Sequence, residues 1–175
     1  MANGLNTMPR ILWIDEGLAP AWWQEVINQT QSTLSWIIVR RDSINYAGAI
    51  ATLEPPADEQ GWARDLAALA PHIFVRPTDT NADADHYKAL LAAASGCQLL
   101  IDERFDMPAT LKAIRLPNRI AAWQRAIQSA AGNLQETLEH GALTRHAALA
   151  LPAVEAETPG WLTMLATQAV IRAAE

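Results

Sequence analysis

The chain has 175 residues, half of them hydrophobic and 18% charged, which suits one domain with a sizeable core and is short for two. Thirteen basic residues against nineteen acidic ones give a formal net charge of -6, and no basic cluster is longer than Arg40-Arg41, which argues against a nucleic-acid partner. The single Cys97 excludes an intramolecular disulfide and any multi-cysteine zinc site, and it fits a reducing, cytoplasmic setting.

The longest mostly apolar run, Leu90 to Ile101, is shorter than the roughly 20 residues a membrane span needs, and Gly96 divides it. No membrane span is expected. The start, MANGLNTMPR, lacks the charged beginning and apolar core of a signal peptide, so export is not expected either.

In chain order, Ile11 to Asp15 (ILWID) is a short buried-strand run. Leu18 to Thr30 follows as a helix, with Pro20 near its start and Trp22, Trp23, Val26 and Ile27 along one side. Leu34 to Val39 is a second strand, rich in Trp and β-branched residues, and Ala49 to Leu53, before Pro55-Pro56, is a short edge strand. Asp58 to Ala70 is a helix whose Trp62, Leu66 and Leu69 are spaced to face a core, and Pro71 stops it.

The stretch from His72 to Asp102 is the most informative. It reads as strand (Ile73 to Val75), polar loop (TDTNADAD), helix (HYKALLAAASG) and strand (CQLLID), a βαβ unit that carries its loops and any ligand at the C-terminal ends of its strands. Function is therefore expected between Arg76 and Lys88. A turn of helix around Pro108 to Ala113 and a last short strand in IRLPN come next. Ile120 to Ala131, Leu134 to Leu149 and Trp161 to Ala173 are expected helices, which pack across the sheet or reach toward a neighbour.

Strands alternating with helices predict an α/β fold: one Rossmann-like domain over 1–175, with a mostly parallel sheet covered on both faces and a helical C-terminus. Several sites are unsupported. No Gly-x-Ser-x-Gly elbow occurs, Cys97 has no histidine partner in sequence, and Asp15-Glu16-Gly17 stands where a Gly-x-Gly-x-x-Gly would follow the first strand. Asp79, Asn81, Asp83 and Asp85 match the odd positions of a calcium loop, but Ala84 replaces its glycine and Leu90 its final glutamate. A solvated loop with Asp83 or Asp85 capping the helix is the better reading. No metal is expected, since His140 and His146 also miss the i, i+4 spacing of a helical ligand pair. His72 opens a strand and reads as structural. The seven tryptophans leave two readings, core packing or an aromatic patch that docks a partner.

The order LAALAPHIFVRPTDTNADADHYKALLAAASGCQLLIDE, followed by LPNRIAAWQRAIQSA, resembles the C-terminal, donor-binding half of GT-B glycosyltransferases. The resemblance covers roughly residues 10 to 150 and is specific only around the central unit. It implies a nucleotide-diphosphate-sugar donor as ligand, no further cofactor, and a cleft closed by a partner domain or subunit. The chain is then part of a larger transferase or a single-domain relative without the transfer reaction. On this reading the donor contacts are Arg76, Thr78, Asp85, His86 and Lys88, with Gly96 matching the glycine that ends the family's helix; catalytic residues are unknown. Lys88 adds a full charge to the free N–H groups at the helix start. The family's ribose-holding glutamate, three residues after the lysine, is Leu91 here, and the tyrosine after it is Ala92. Two alternatives stand beside this reading: a non-catalytic, transferase-like module for protein interaction, and a receiver-like signalling domain built around the acidic pair Asp15 and Glu16.

Overall fold

A strand buried on both faces needs apolar side chains in both directions, and the first strand supplies them as RILWI. In the computed structural model, which describes residues 8–17, 19–40, 49–56, 59–78 and 86–151, this strand is β1 (Arg10–Ile14). Leu12 and Ile14 enter one core while Ile11 and Trp13 enter the other, as the two-residue period of a strand dictates. The same double burial holds in β2 (Ser35–Val39), β4 (Ile73–Arg76) and β5 (Gln98–Asp102). Shorter strands, β3 (Ala49–Leu53) and β6 (Ile114–Leu116), form the two edges.

All five strand pairings are parallel, and the sheet runs in the order β3-β2-β1-β4-β5-β6. The chain moves outward from β1 to β3, returns to the far side of β1, and moves outward again to β6. Strand order therefore reverses between β1 and β4, the place where an α/β sheet opens a crevice at its carboxyl edge. The doubly wound, Rossmann-like α/β fold expected from the alternation is the fold observed.

The helices are α1 (Trp23–Thr30), α2 (Glu59–Leu69), α3 (His86–Ala94), α4 (Ile120–Gly132) and α5 (Leu134–Ala150). Residues of α1 and α4 share one core with one face of the sheet, and residues of α2, α3 and α5 share the other. The C-terminal helices thus pack across the sheet, one on each face. Asn133 separates them and caps α5: its side chain accepts from the Glu136 amide at 3.3 Å and donates to the Glu136 carboxylate at 2.8 Å.

The tryptophans serve the core. Trp23 packs edge-on against Trp13, Trp36 and Trp123, with ring centroids 5.8, 6.0 and 5.2 Å away, and all four rings are buried. Edge-to-face pairs of this kind contribute about 0.5–1.5 kcal/mol each beyond their burial. Trp22, the ring hardest to bury, is half-buried against the same cluster. No tryptophan among the described residues is a largely exposed ring, so core packing accounts for those described. Trp161 and the helix expected over Trp161 to Ala173 lie outside the described residues.

One boundary differs by several residues. The helix expected from Leu18 begins at Trp23, because Gly17, at φ +74°, donates its amide to Asp15 Oδ1 at 2.9 Å, and Pro20 O then receives the Trp23 amide at 2.9 Å. The chain spends the residues after β1 on turning, and the helix starts where turning ends. The remaining elements fall within about two residues of their expected bounds, a spread usual for helix and strand ends.

Two local features carry consequences for stability. Gly141 of α5 lies against the end of α3 so closely that a Cβ on it would sit 2.1 Å from Gly96 O, whereas a Cβ on Gly132 would meet nothing within 4 Å. Gly141→Ala is expected to cost about 1–3 kcal/mol in urea unfolding, as overpacking does, while Gly132→Ala costs nothing comparable. Equal stability of Gly141→Ala and the parent would contradict this helix packing.

His72 Nδ1 accepts the Arg10 amide at 2.9 Å, which requires the neutral ring, and burial, followed by the charge of Arg10, holds its pKa below 6.5. The unfolded chain therefore binds a proton more readily than the folded one. The contribution of His72 is fully present above pH 6.5 and is lost as pH falls from there through the lowered value. Unfolding measured from pH 7.5 downward should show this loss, and His72→Gln should flatten that part of the profile.

Candidate functional site

At the carboxyl edge the apolar strands end in charge. β1 is followed by Asp15 and Glu16, β2 by Arg40, β4 closes on Arg76, and β5 closes on Asp102 with Arg104 just beyond. Burial on both faces leaves the strands of this sheet only their ends to carry polar groups near solvent. Beside them lies a cleft of about 800 Å³, lined by Asp15, Glu16, Arg40, Pro56, Trp62 and Lys88 among others. Its volume falls within the roughly 300–1,000 Å³ of small-molecule sites.

Glu16 is the hub. Its carboxylate pairs with the guanidinium of Arg76 through Nη1 and with the ammonium of Lys88, so one side chain ties β1 to β4 and to α3 across the strand-order reversal. Burial acts to raise the Glu16 pKa, but the Lys88 hydrogen bond and the Arg76 charge outweigh it and hold the group below the ordinary carboxylate value. Glu16 is therefore an anion throughout the neutral range.

Arg76 is only 3% exposed. Its guanidinium carbon stands 5.6 Å from the centroid of the Phe105 ring, and its Nε and Nη2 are buried without a hydrogen-bond partner among the described residues. Unmet guanidinium donors in a low-dielectric wall are costly, and an acceptor brought to them would recover that cost. Lys88 Nζ also lies 5.7 Å from the Trp62 ring centroid, which leaves its ammonium between an aromatic face and a carboxylate.

Two further ion pairs brace the rim. Asp15 Oδ2 is 3.3 Å from Arg40 Nη1, and Asp15 Oδ1 accepts the Gly17 amide, which fixes the β1 loop. Asp102, 1% exposed, accepts from Arg104 Nε and Nη2 at 2.8 and 3.0 Å and from the Arg104 amide at 2.9 Å. The same Arg104 Nη2 donates to Thr78 O, so the start of the β4–α3 loop is anchored from β5.

The residues singled out in the sequence divide accordingly. Arg76 and Lys88 meet on Glu16, as described. Thr78 is buried and held through its carbonyl. His86 is exposed at the start of α3, with its ring 5.1 Å from that of Phe105, near the Arg76 side of the cluster. Asp85 and the rest of the acidic loop from Asp79 lie outside the described residues.

Gly96 is not brought to the cleft. It follows the C-terminal end of α3 at φ +92° and leads into the N-terminal end of β5, the opposite edge of the sheet from the ionic cluster. Its role is to end the helix and admit Gly141. Leu91 and Ala92 are fully buried in the core beneath α3, so a polar residue there would meet apolar side chains. Cys97 is buried, donates to Pro71 O at 3.3 Å, and has its thiol pKa pushed up to about 12 by burial, which leaves it inert as a nucleophile.

Glu16, Arg40, Trp62, Asp102 and Arg104 complete the site; sequence reasoning gave Glu16 a role only in the acidic pair of the receiver-like alternative and named none of the five as a donor contact. A signal existed for Glu16: a charged residue directly after the first buried strand, followed by glycine. No helix among the described residues is long and apolar enough to cross a membrane. Comparison with protein-family models, curated proteins and solved structures finds no match to this chain.

Proposed function

We propose that the cleft binds a nucleotide-diphosphate sugar, as the donor-binding domain of a GT-B-type glycosyltransferase does. The observation that carries this reading is the buried Arg76, which reaches the strand-order reversal with unmet guanidinium donors beside Lys88. A diphosphate supplies the acceptor oxygens such groups recognise, and guanidinium binds them in a fixed fork. The location agrees with the general rule for open α/β sheets. Arg40, at the end of β2, adds a cation to the lining of the cleft, as Lys88 does. Acceptors for ribose hydroxyls come from Asp15 or the loop around Gly17 on this reading, since Leu91 and Ala92 belong to the core.

A non-catalytic interaction module is the second reading. It is favoured by three leucines of α5, Leu138, Leu143 and Leu149, which are 44, 49 and 38% exposed. A receiver-like domain ranks third. With edge strand β3 set aside, the remaining strands follow the 2-1-3-4-5 order of such domains, and an acidic pair follows β1. Asp15 is nevertheless paired with Arg40, and Pro117-Asn118 follows β6 where a lysine would be needed.

Calorimetric titration of a panel of uridine and guanosine diphosphate sugars tests the first reading. Saturable binding is expected, weakened about tenfold or more by Lys88→Ala, the effect of losing one charge-assisted contact. No binding across the panel would overturn the donor reading and leave the interaction module.

A further inference from the structure

Arg76 and Lys88 converge on one small volume at the strand-order reversal, and that volume already holds an anion. The carboxylate of Glu16 takes one nitrogen of Arg76 and the ammonium of Lys88, and leaves Arg76 Nε and Nη2 unmet. Two cations facing one carboxylate carry one net positive charge, so the cluster retains an attraction for anions that Glu16 only partly satisfies.

A diphosphate and Glu16 cannot both use this seat. Both are acceptor-only groups of the same charge sign, and at hydrogen-bond range their repulsion inside a partly desolvated wall is far larger than in bulk water. Glu16 sits in the loop just after β1, ahead of Gly17, whose positive φ ends the extended backbone. Its side chain is about one-fifth exposed while that of Arg76 is nearly sealed. The carboxylate therefore has a route to water, and the guanidinium does not.

We propose that Glu16 is a built-in stand-in for the anionic ligand: it neutralises Arg76 and Lys88 in the empty cleft, and a diphosphate binds by displacing it. This rests on the cleft being a diphosphate site. The consequence is that Glu16 lowers affinity while protecting a buried guanidinium from standing uncompensated, a state that is strongly destabilising in folded proteins. Binding becomes an exchange of one anion for another, and the displaced carboxylate is released to solvent beside Gly17.

The test uses inorganic pyrophosphate and uridine diphosphate, titrated calorimetrically into the full chain and into Glu16→Gln, Glu16→Asp and the double variant E16Q/K88A, with folding of each checked by circular dichroism. Pyrophosphate is expected to bind Glu16→Gln about tenfold tighter than the parent, the scale of one or two charge-assisted hydrogen bonds no longer contested. Glu16→Asp, whose shorter side chain contests the seat less, should gain by a smaller factor, and E16Q/K88A should lose the gain. If Glu16→Gln does not fold, Glu16→Asp decides alone.

Equal or weaker pyrophosphate binding by the folded Glu16 variants would overturn the displacement. If the parent binds uridine diphosphate while those variants bind neither probe tighter, the donor site stands and the displacement fails. If pyrophosphate tightens on Glu16→Gln while no variant binds uridine diphosphate, the displacement stands and the nucleotide reading fails.

Discussion

A parallel sheet buried on both faces can carry charge only at its ends, and that constraint shapes this molecule. The strands β1, β2, β4 and β5 are apolar along their lengths and become ionic at their carboxyl edge. Arg76 is the limiting case: a guanidinium at the last position of a central strand, almost wholly removed from water. Such a group requires a counter-charge, and Glu16, in the loop just after the neighbouring strand β1, supplies it. The pair fixes the relation of β1 to β4, and Lys88 adds α3 to the same point. Site and fold therefore share one interaction.

The supporting ion pairs show how the edge stays organised around that point. Asp15 with Arg40 secures the β1 loop from the β2 side, and Arg104, held by Asp102, reaches Thr78 just beyond β4 from the β5 side. These braces lie on either side of the central cluster. Between them the guanidinium of Arg76 keeps donors, Nε and Nη2, that no described residue meets. Buried guanidinium donors left over beside paired carboxylates form a pattern more readily explained by a ligand than by stability, because buried ion pairs contribute little stability over apolar packing.

Much of the fold was legible in the residues. Alternating apolar runs and helical periods identified every strand and helix now described, because the central strands are buried enough to need apolar runs and most breaks carry Pro, Gly or Asn. The start of α1 was less legible, since Pro20 and the Trp22-Trp23 pair read as helix while the chain was still turning. The site was half legible. Arg76 and Lys88 stand in one βαβ unit and declare themselves locally. Glu16 joins Lys88 from 72 positions away, and only the strand order, with β4 placed beside β1, brings them together. Gly96 was misleading for the opposite reason: it is close in sequence to Lys88, yet one helix length carries it to the other edge of the sheet.

The central claim is that the Glu16, Arg76 and Lys88 cluster is an anion seat and not a purely structural clasp. The most direct measurement is nuclear magnetic resonance of the backbone amides and the arginine Nε–H groups during titration with pyrophosphate. Resonances of Arg76 Nε–H, the Gly17 amide and the first turn of α3 should shift together and saturate, while Trp123 and Ile127 on α4, across the sheet, stay in place. Shifts confined to Leu138, Leu143 and Leu149 of α5, or no shift at Arg76 at any concentration, would contradict the account.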